Sequence, residues 1–161
     1  MTVRVQQDDF NIEAEIEALK ADRTDIGAIV TFTGTVRDMS KTGPIKEMSL
    51  EHYPGMTEKQ LKAIEQDAHN RWPLQGTTII HRYGDLNPGD NIVLTITLSK
   101  HRQAAFEAAE FIMDFLKTKA PFWKKETPLE GEAKWVDARD CDEDALRKWE
   151  KEGNPKKDFS E

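Results

Sequence analysis

Between Asn91 and Lys100, the residues Ile92, Leu94, Ile96 and Leu98 alternate with Val93, Thr95, Thr97 and Ser99, the two-residue period of a β-strand. Only His101 separates this strand from a helical span, residues 102–117, whose centre from Phe106 to Leu116 is strongly apolar. Any fold open to the chain has to accommodate a strand and an apolar helix joined this closely. Pro121 cannot continue the helix, so Phe122, Trp123 and Lys124 are predicted to enter a loop.

The other periodicities fill in around this pair. Phe10, Ile12, Ile16 and Leu19 recur near the helical period over residues 9–20, with Asp8 or Asp9 available as a cap. Residues 27–37 are rich in β-branched side chains and predict a strand that carries Arg37 at its end. Residues 38–46 contain Gly43-Pro44 and read as an exposed, mobile loop, followed by a strand over 47–53. Pro54-Gly55 marks a turn, after which Thr57 opens a helix with Leu61, Ile64, Ala68 and Trp72 on its apolar face, stopped before Pro73. A strand over 77–83, a turn-rich link over 84–90, a strand over 133–138 and a short helix over 143–150 complete the pattern. Helices are too few and too irregularly placed for a doubly wound sheet, so the expected class is α+β. Residues 1–151 form one expected domain, and 152–161 an expected disordered tail.

Composition narrows the chemistry. The 161 residues are 37% hydrophobic and 33% charged, and no apolar run approaches the roughly 18 residues of a membrane span. The first residues lack the basic-then-apolar pattern of a secretory leader, so a cytoplasmic protein that binds no membrane is expected. A formal charge of -7 opposes polyelectrolyte binding to nucleic acid. The single cysteine, Cys141, has Asp140, Asp142, Glu143 and Asp144 around it, which disfavours a reactive thiolate. His52, His69 and His81 have no Cys or carboxylate at metal-ligand spacing and read as structural residues, so no metal site is expected.

Against this acidic background, cations bracket the apolar helix. His101 and Arg102 stand at its start, where backbone N–H groups and the helix dipole favour an anion such as a phosphate or carboxylate. Lys117 stands at its end, and the break at Pro121 allows Lys124 to fold back towards it. Two ammonium groups held together and partly desolvated lower one another's pKa, and a lysine so shifted can serve as general acid, general base or nucleophile. Basic residues at a helix C-terminus also answer the macrodipole, and Lys117 and Lys119 fit that plain role as well.

Taken in order, several segments resemble the large, catalytic subunits of molybdopterin synthase, the MoaE family. They are Val30-Thr31-Phe32-Thr33-Gly34-Thr35-Val36-Arg37, Leu50-Glu51-His52-Tyr53-Pro54-Gly55-Met56, Ile80-His81-Arg82-Tyr83-Gly84-Asp85-Leu86, Ser99-Lys100-His101-Arg102, Phe111-Ile112-Met113-Asp114-Phe115-Leu116-Lys117 and Ala120-Pro121-Phe122-Trp123-Lys124. The resemblance implies an α/β hammerhead-type single domain and a homodimer. A small ubiquitin-like sulfur carrier of the MoaD type would dock at each end, making a heterotetramer. The carrier's C-terminal thiocarboxylate would supply sulfur to cyclic pyranopterin monophosphate (precursor Z), forming the dithiolene of molybdopterin with no further cofactor.

The resemblance also implies roles. Lys117 corresponds to the catalytic general acid/base nearest the carrier's tail, and Lys124 to a second catalytic lysine that also holds substrate. Arg37, His101, Arg102 and Arg139 correspond to anion-binding residues, and Lys125 joins them for its charge beside Lys124. In the family the pocket is shared across the dimer, which assigns His101 and Arg102 to the neighbouring subunit's site. Two other classes compete: a non-catalytic docking module for a Gly-Gly tail, and a phosphate-binding lyase or aldolase with a Schiff-base lysine. The presence of both Lys117 and Lys124 argues against the first, because one cation suffices to hold a terminal carboxylate.

Overall fold

The computed structural model describes residues 1–136 and the helix at 140–151. The elements in chain order are β1 (Thr2–Gln6), α1 (Ile12–Lys20), β2 (Ala28–Thr35), β3 (Met39–Ser40), β4 (Gly43–His52), α2 (Met56–Arg71), β5 (Leu74–Arg82), β6 (Gly84–Leu86), β7 (Asn91–Ser99), α3 (Arg102–Lys119), β8 (Phe122–Pro128), β9 (Lys134–Val136) and α4 (Asp140–Lys151). They make two sheets. One has the order β1-β5-β7-β2, with β1 parallel to β5 and the other pairs antiparallel; the second runs β3-β4-β8-β9, with β6 also paired to β4. This is the expected α+β class, with its strands divided between two sheets.

The central strands β5 and β7 are buried on both faces. On one side Ile79 packs with Leu61, Ile64 and Ala68 of α2 and with Phe111 and Ile112 of α3. On the other, Ile80, Leu94, Ile96 and Leu98 meet Phe10 and the apolar side of α1. Each such side chain removed from water contributes about 1.5–3 kcal/mol, so this two-sided burial is the main source of stability. The polar residues within it are satisfied: Thr97 Oγ1 donates to the Ala105 carbonyl at 2.7 Å and Thr77 Oγ1 to Glu65 at 2.7 Å. Helix α4 is fastened by Trp149, which meets Trp72 and Phe111 edge-on at 5.6 and 5.5 Å and donates its indole N–H to Asp114 at 2.8 Å.

Several local expectations are corrected. Residues 38–46 are not a free loop: Met39 and Ser40 pair with Pro44 and Gly43, so the segment folds into a hairpin whose Gly43 takes a φ of +124°. The segment after Pro121 is a strand, because Phe122 to Pro128 find a partner edge on β4, with His52 opposite Phe122 and Leu50 opposite Lys124. Proline ended the helix as expected, and pairing across the sheet decided what followed. Asn11, not Asp8 or Asp9, caps α1, accepting from Ala14 N–H at 2.9 Å, while Asp9 accepts from the Asn91 side chain at 2.9 Å. Strand β1, with its short partly buried alternation, is an addition to the sequence reading. The expected tail at 152–161 lies outside the described residues.

Candidate active site

One cavity, of about 290 Å³, opens where the two sheets meet the C-terminal end of α3. Three elements build it by their own periods. From α3, Met113, Leu116 and Lys117 face it at the spacing of one helical surface, followed by the C-cap residue Ala120. From β8, Phe122, Lys124 and Glu126 face it at the spacing of one strand face. From β4 come Ile45, Met48 and Leu50; a bulge between Ile45 and Glu47 shifts the register and lets an odd-numbered residue join two even-numbered ones.

Strand β2 closes the remaining side with Phe32, Gly34 and Thr35. A bulge at Gly34/Thr35 brings both residues to the cavity, and Gly34 permits close approach to β7, since a Cβ there would lie 2.8 Å from Val93 Cγ1. Beyond it Val36 is buried and held at both backbone groups, its N–H donating to Asp90 at 2.9 Å and its carbonyl accepting from Gly89 at 2.7 Å. That anchoring sets Arg37 at the cavity wall, two residues past the end of β2 rather than at the end of the strand as expected.

The structure therefore brings together three of the seven candidate residues: Arg37, Lys117 and Lys124. Lys117 is exposed at the rim, and Lys124 is partly covered, with its ammonium 3.9 Å from the Glu126 carboxylate. Lys125 is not in the cavity of this chain. Strand alternation turns it to the opposite face, where its ammonium lies 5.4 Å from the centre of the exposed Trp135 ring. His101 and Arg102 also lie apart, His101 as the N-cap of α3 and Arg102 as its first residue. Fifteen residues of helix separate Arg102 from Lys117, about 22 Å along the axis. Arg139 lies outside the described residues.

Other cavity residues were not singled out from the sequence. His81, set aside as structural, is 5% exposed and lines the cavity floor, its ring stacked on Phe122 with centroids 3.7 Å apart. Its Nδ1 donates to the Arg82 carbonyl at 2.8 Å, a tautomer fixed by an oxygen that can only accept. Burial pushes its pKa down to about 4, against the Arg82 carbonyl bond, and nearby His52 and Lys117 push in the same direction as burial. The imidazole is neutral near neutral pH. Glu126 and the apolar group Phe32, Met48 and Met113 also had no distinguishing mark in the sequence.

Chemically, the cavity combines a wall of aliphatic, methionine and aromatic side chains with cations at its rim. Low polarity around a charged guest strengthens each charge-assisted hydrogen bond, and two lysines from different elements can grip one anion and pass protons to it. The fold and this site define a small α+β protein with a partly enclosed, largely apolar cavity bordered by the cations Arg37, Lys117 and Lys124. Comparison with known proteins narrows that class. The model of the MoaE protein family matches residues 5–119. A molybdopterin synthase catalytic subunit from Mesorhizobium japonicum is 52% identical over 149 residues, covering 92% of each chain, and one from Rhizobium meliloti is 55% identical, covering 92% of this chain and 96% of the relative. The solved structure of molybdopterin cofactor biosynthesis protein E from Burkholderia multivorans superposes with a TM-score of 0.78 at 51% identity, over 92% of this chain and 96% of that one. The chain belongs to the MoaE family.

Proposed function

We propose that the chain is the catalytic subunit of a molybdopterin synthase, a sulfurtransferase of molybdenum cofactor biosynthesis. It moves sulfur from the C-terminal thiocarboxylate of a small ubiquitin-like carrier to cyclic pyranopterin monophosphate. The observation that carries the reading is the meeting of Lys117 from α3 and Lys124 from β8 over one cavity, in a chain about half identical to relatives named for this activity.

Both reactants are anions, and the departing oxygens need protons. Arg37 and Lys124 hold negative charge at the cavity, and Lys117, at the rim where a tail would enter, gives and takes protons as sulfur adds and oxygen leaves. Sulfur arrives on the carrier, which suits a chain whose one cysteine stands in an acidic run. At each transfer sulfur bonds to a substrate carbon and water cleaves the acyl–sulfur bond, returning the carrier's tail as an ordinary carboxylate; the displaced substrate oxygen leaves as water at one carbon and stays on the opened phosphate ester at the other, which leaves the dithiolene. No cofactor enters the scheme. A chain that can form no internal disulfide suits the reducing cytoplasm.

The separation of His101 and Arg102 from the cavity fits an assembly in which two copies associate and each lends the N-terminal end of α3 to the other's site, with one carrier on each copy. Arg139 is assigned to anion binding on the resemblance alone. Lys125, turned to the Trp135 face, is dropped from the set in this chain's own cavity.

The test is a three-component reaction: purified chain, thiocarboxylated carrier and cyclic pyranopterin monophosphate, with dithiolene product scored by mass spectrometry. Product that requires all three supports the reading. Carrier binding with a competent donor and no product favours a docking module instead.

A further inference from the structure

The cavity floor holds a polar atom for which the proposed sulfur transfer has no use. Nδ1 of His81 is committed to the Arg82 carbonyl, and Nε2 has no hydrogen-bond partner among the described residues. Among those residues the only fully enclosed side-chain N or O atom without a partner is Gln75 Oε1. Nε2 of His81 therefore still touches open space. For a residue 5% exposed whose surroundings include the cavity, that space is the cavity.

The ring around it is held. One face stacks on Phe122 at an interplanar angle of 19°, and the strand beneath is buried on both sides, so Nε2 has a fixed direction rather than a choice of rotamers. Val93 stands opposite it in the strand pairing, and the apolar lining residues Leu50, Met113 and Leu116 offer no hydrogen; Lys117 and His52 are near enough to act on its charge, and neither bonds it. With Nδ1 carrying the proton, Nε2 is a lone-pair acceptor. A buried acceptor left open is costly unless something arrives to fill it. The rim cations Arg37, Lys117 and Lys124 are matched to negative charge, whereas Nε2 is matched to a neutral N–H.

We propose that His81 is a substrate-binding residue of this cavity, its Nε2 accepting a hydrogen bond from an N–H group of a bound reactant. The inference rests on the proposed function, which supplies two sources for such a group: the ring N–H of the pyranopterin and a backbone amide of the carrier's Gly-Gly tail. His81 thereby reads the uncharged part of a guest whose charged part the rim holds. A guest lacking a donor at that depth leaves the acceptor unpaired and is discriminated against.

Two substitutions separate the nitrogen from the ring. His81→Phe keeps an aromatic ring on Phe122 and removes the acceptor; His81→Gln offers an amide oxygen near the place of Nε2. Binding of cyclic pyranopterin monophosphate and of carrier in its ordinary carboxylate form is measured separately by calorimetry on the full chain. The expected result is a Kd raised at least tenfold for one reactant in His81→Phe, the other staying within twofold, with His81→Gln recovering most of the loss. Loss confined to the pterin places the donor on its ring, and loss confined to the carrier places it on the tail. A folded His81→Phe chain that binds both within twofold of the parent overturns the proposal, and so does equal weakening of both, which marks a collapsed cavity. If His81→Phe does not fold, His81→Asn, which keeps a donor for Arg82 and places nothing at Nε2, is read by the same criteria. A parent chain that binds neither reactant removes the functional reading and this inference with it, whereas a parent that binds both leaves the variants to test His81 alone.

Discussion

The two ends of α3 carry the same kind of residue and meet different surroundings. At the C-terminal end Lys117 is joined by Lys124 from β8 and Arg37 from beyond β2, with an apolar wall behind them. At the N-terminal end His101 and Arg102 follow directly from β7, outside that cavity. Sequence charge is symmetrical about the helix and structure is not. The contrast shows that cations become a site only where other elements bring walls and further charges to them, and that one copy of the chain completes this at one end of α3 alone.

Removing the cation at the built end of α3 has the largest expected effect. Lys117→Ala is expected to lower turnover by ~10²–10⁴-fold while carrier affinity, measured by calorimetry, changes little. Turnover near that of the parent removes its proton-transfer role. Acid should also act at this end. His81 has a folded pKa of about 4 against an unfolded value near 6.5, so its neutral form supports the fold above pH 6.5 and that support is lost as pH falls towards 4, by about 3 kcal/mol. Buried Glu65, whose pKa is raised chiefly by desolvation, works with the opposite sign above pH 4.5, so the comparison is made against His81→Phe. Denaturant midpoints of the parent should fall more steeply than those of the variant between pH 6.5 and 4; parallel curves would contradict the assignment.

Adjacent lysines sharpen the contrast within one strand. Lys124→Ala is expected to cost about tenfold or more in kcat/KM through loss of a charge-assisted contact, and Lys125→Ala less than about twofold, because a half-buried cation over the exposed Trp135 ring, outside the cavity, contributes little. Equal losses would mean that strand parity does not govern the site. Arg102→Ala is expected to raise KM for the pterin several-fold, roughly the loss of one anion contact, with kcat nearly kept. A normal KM would leave the N-terminal end of α3 without a part in binding.

Much of this architecture was legible because local chemistry and tertiary structure agree. The alternation over 91–99 and the apolar run of α3 survive, since β7 is buried on both faces and α3 along its apolar face, so local pattern and tertiary burial agree. Legibility fails where pairing partners are distant in sequence. Residues 122–128 became a strand by meeting β4, some seventy residues earlier, and that same pairing sent Lys124 inward and Lys125 outward. The turn signal at Gly43-Pro44 was real but marks the start of the second strand of a hairpin whose tip is Lys41-Thr42. His81 was unreadable for a related reason: β5 is buried on both faces, so neither alternation nor composition shows that one of its side chains ends at a cavity.

On the proposed function, the two ends of α3 serve two different cavities in an assembly of two copies. Mixing Lys117→Ala and Arg102→Ala chains, each impaired at limiting pterin, with subunit exchange and saturating carrier, tests it directly. If each site draws Lys117 from one copy and Arg102 from the other, half of the pairs are mixed and each holds one intact site, so about a quarter of parental activity returns. If Arg102 acts on the cavity of its own chain, or on none, the mixture shows only the average of the two variants, and the claim is wrong.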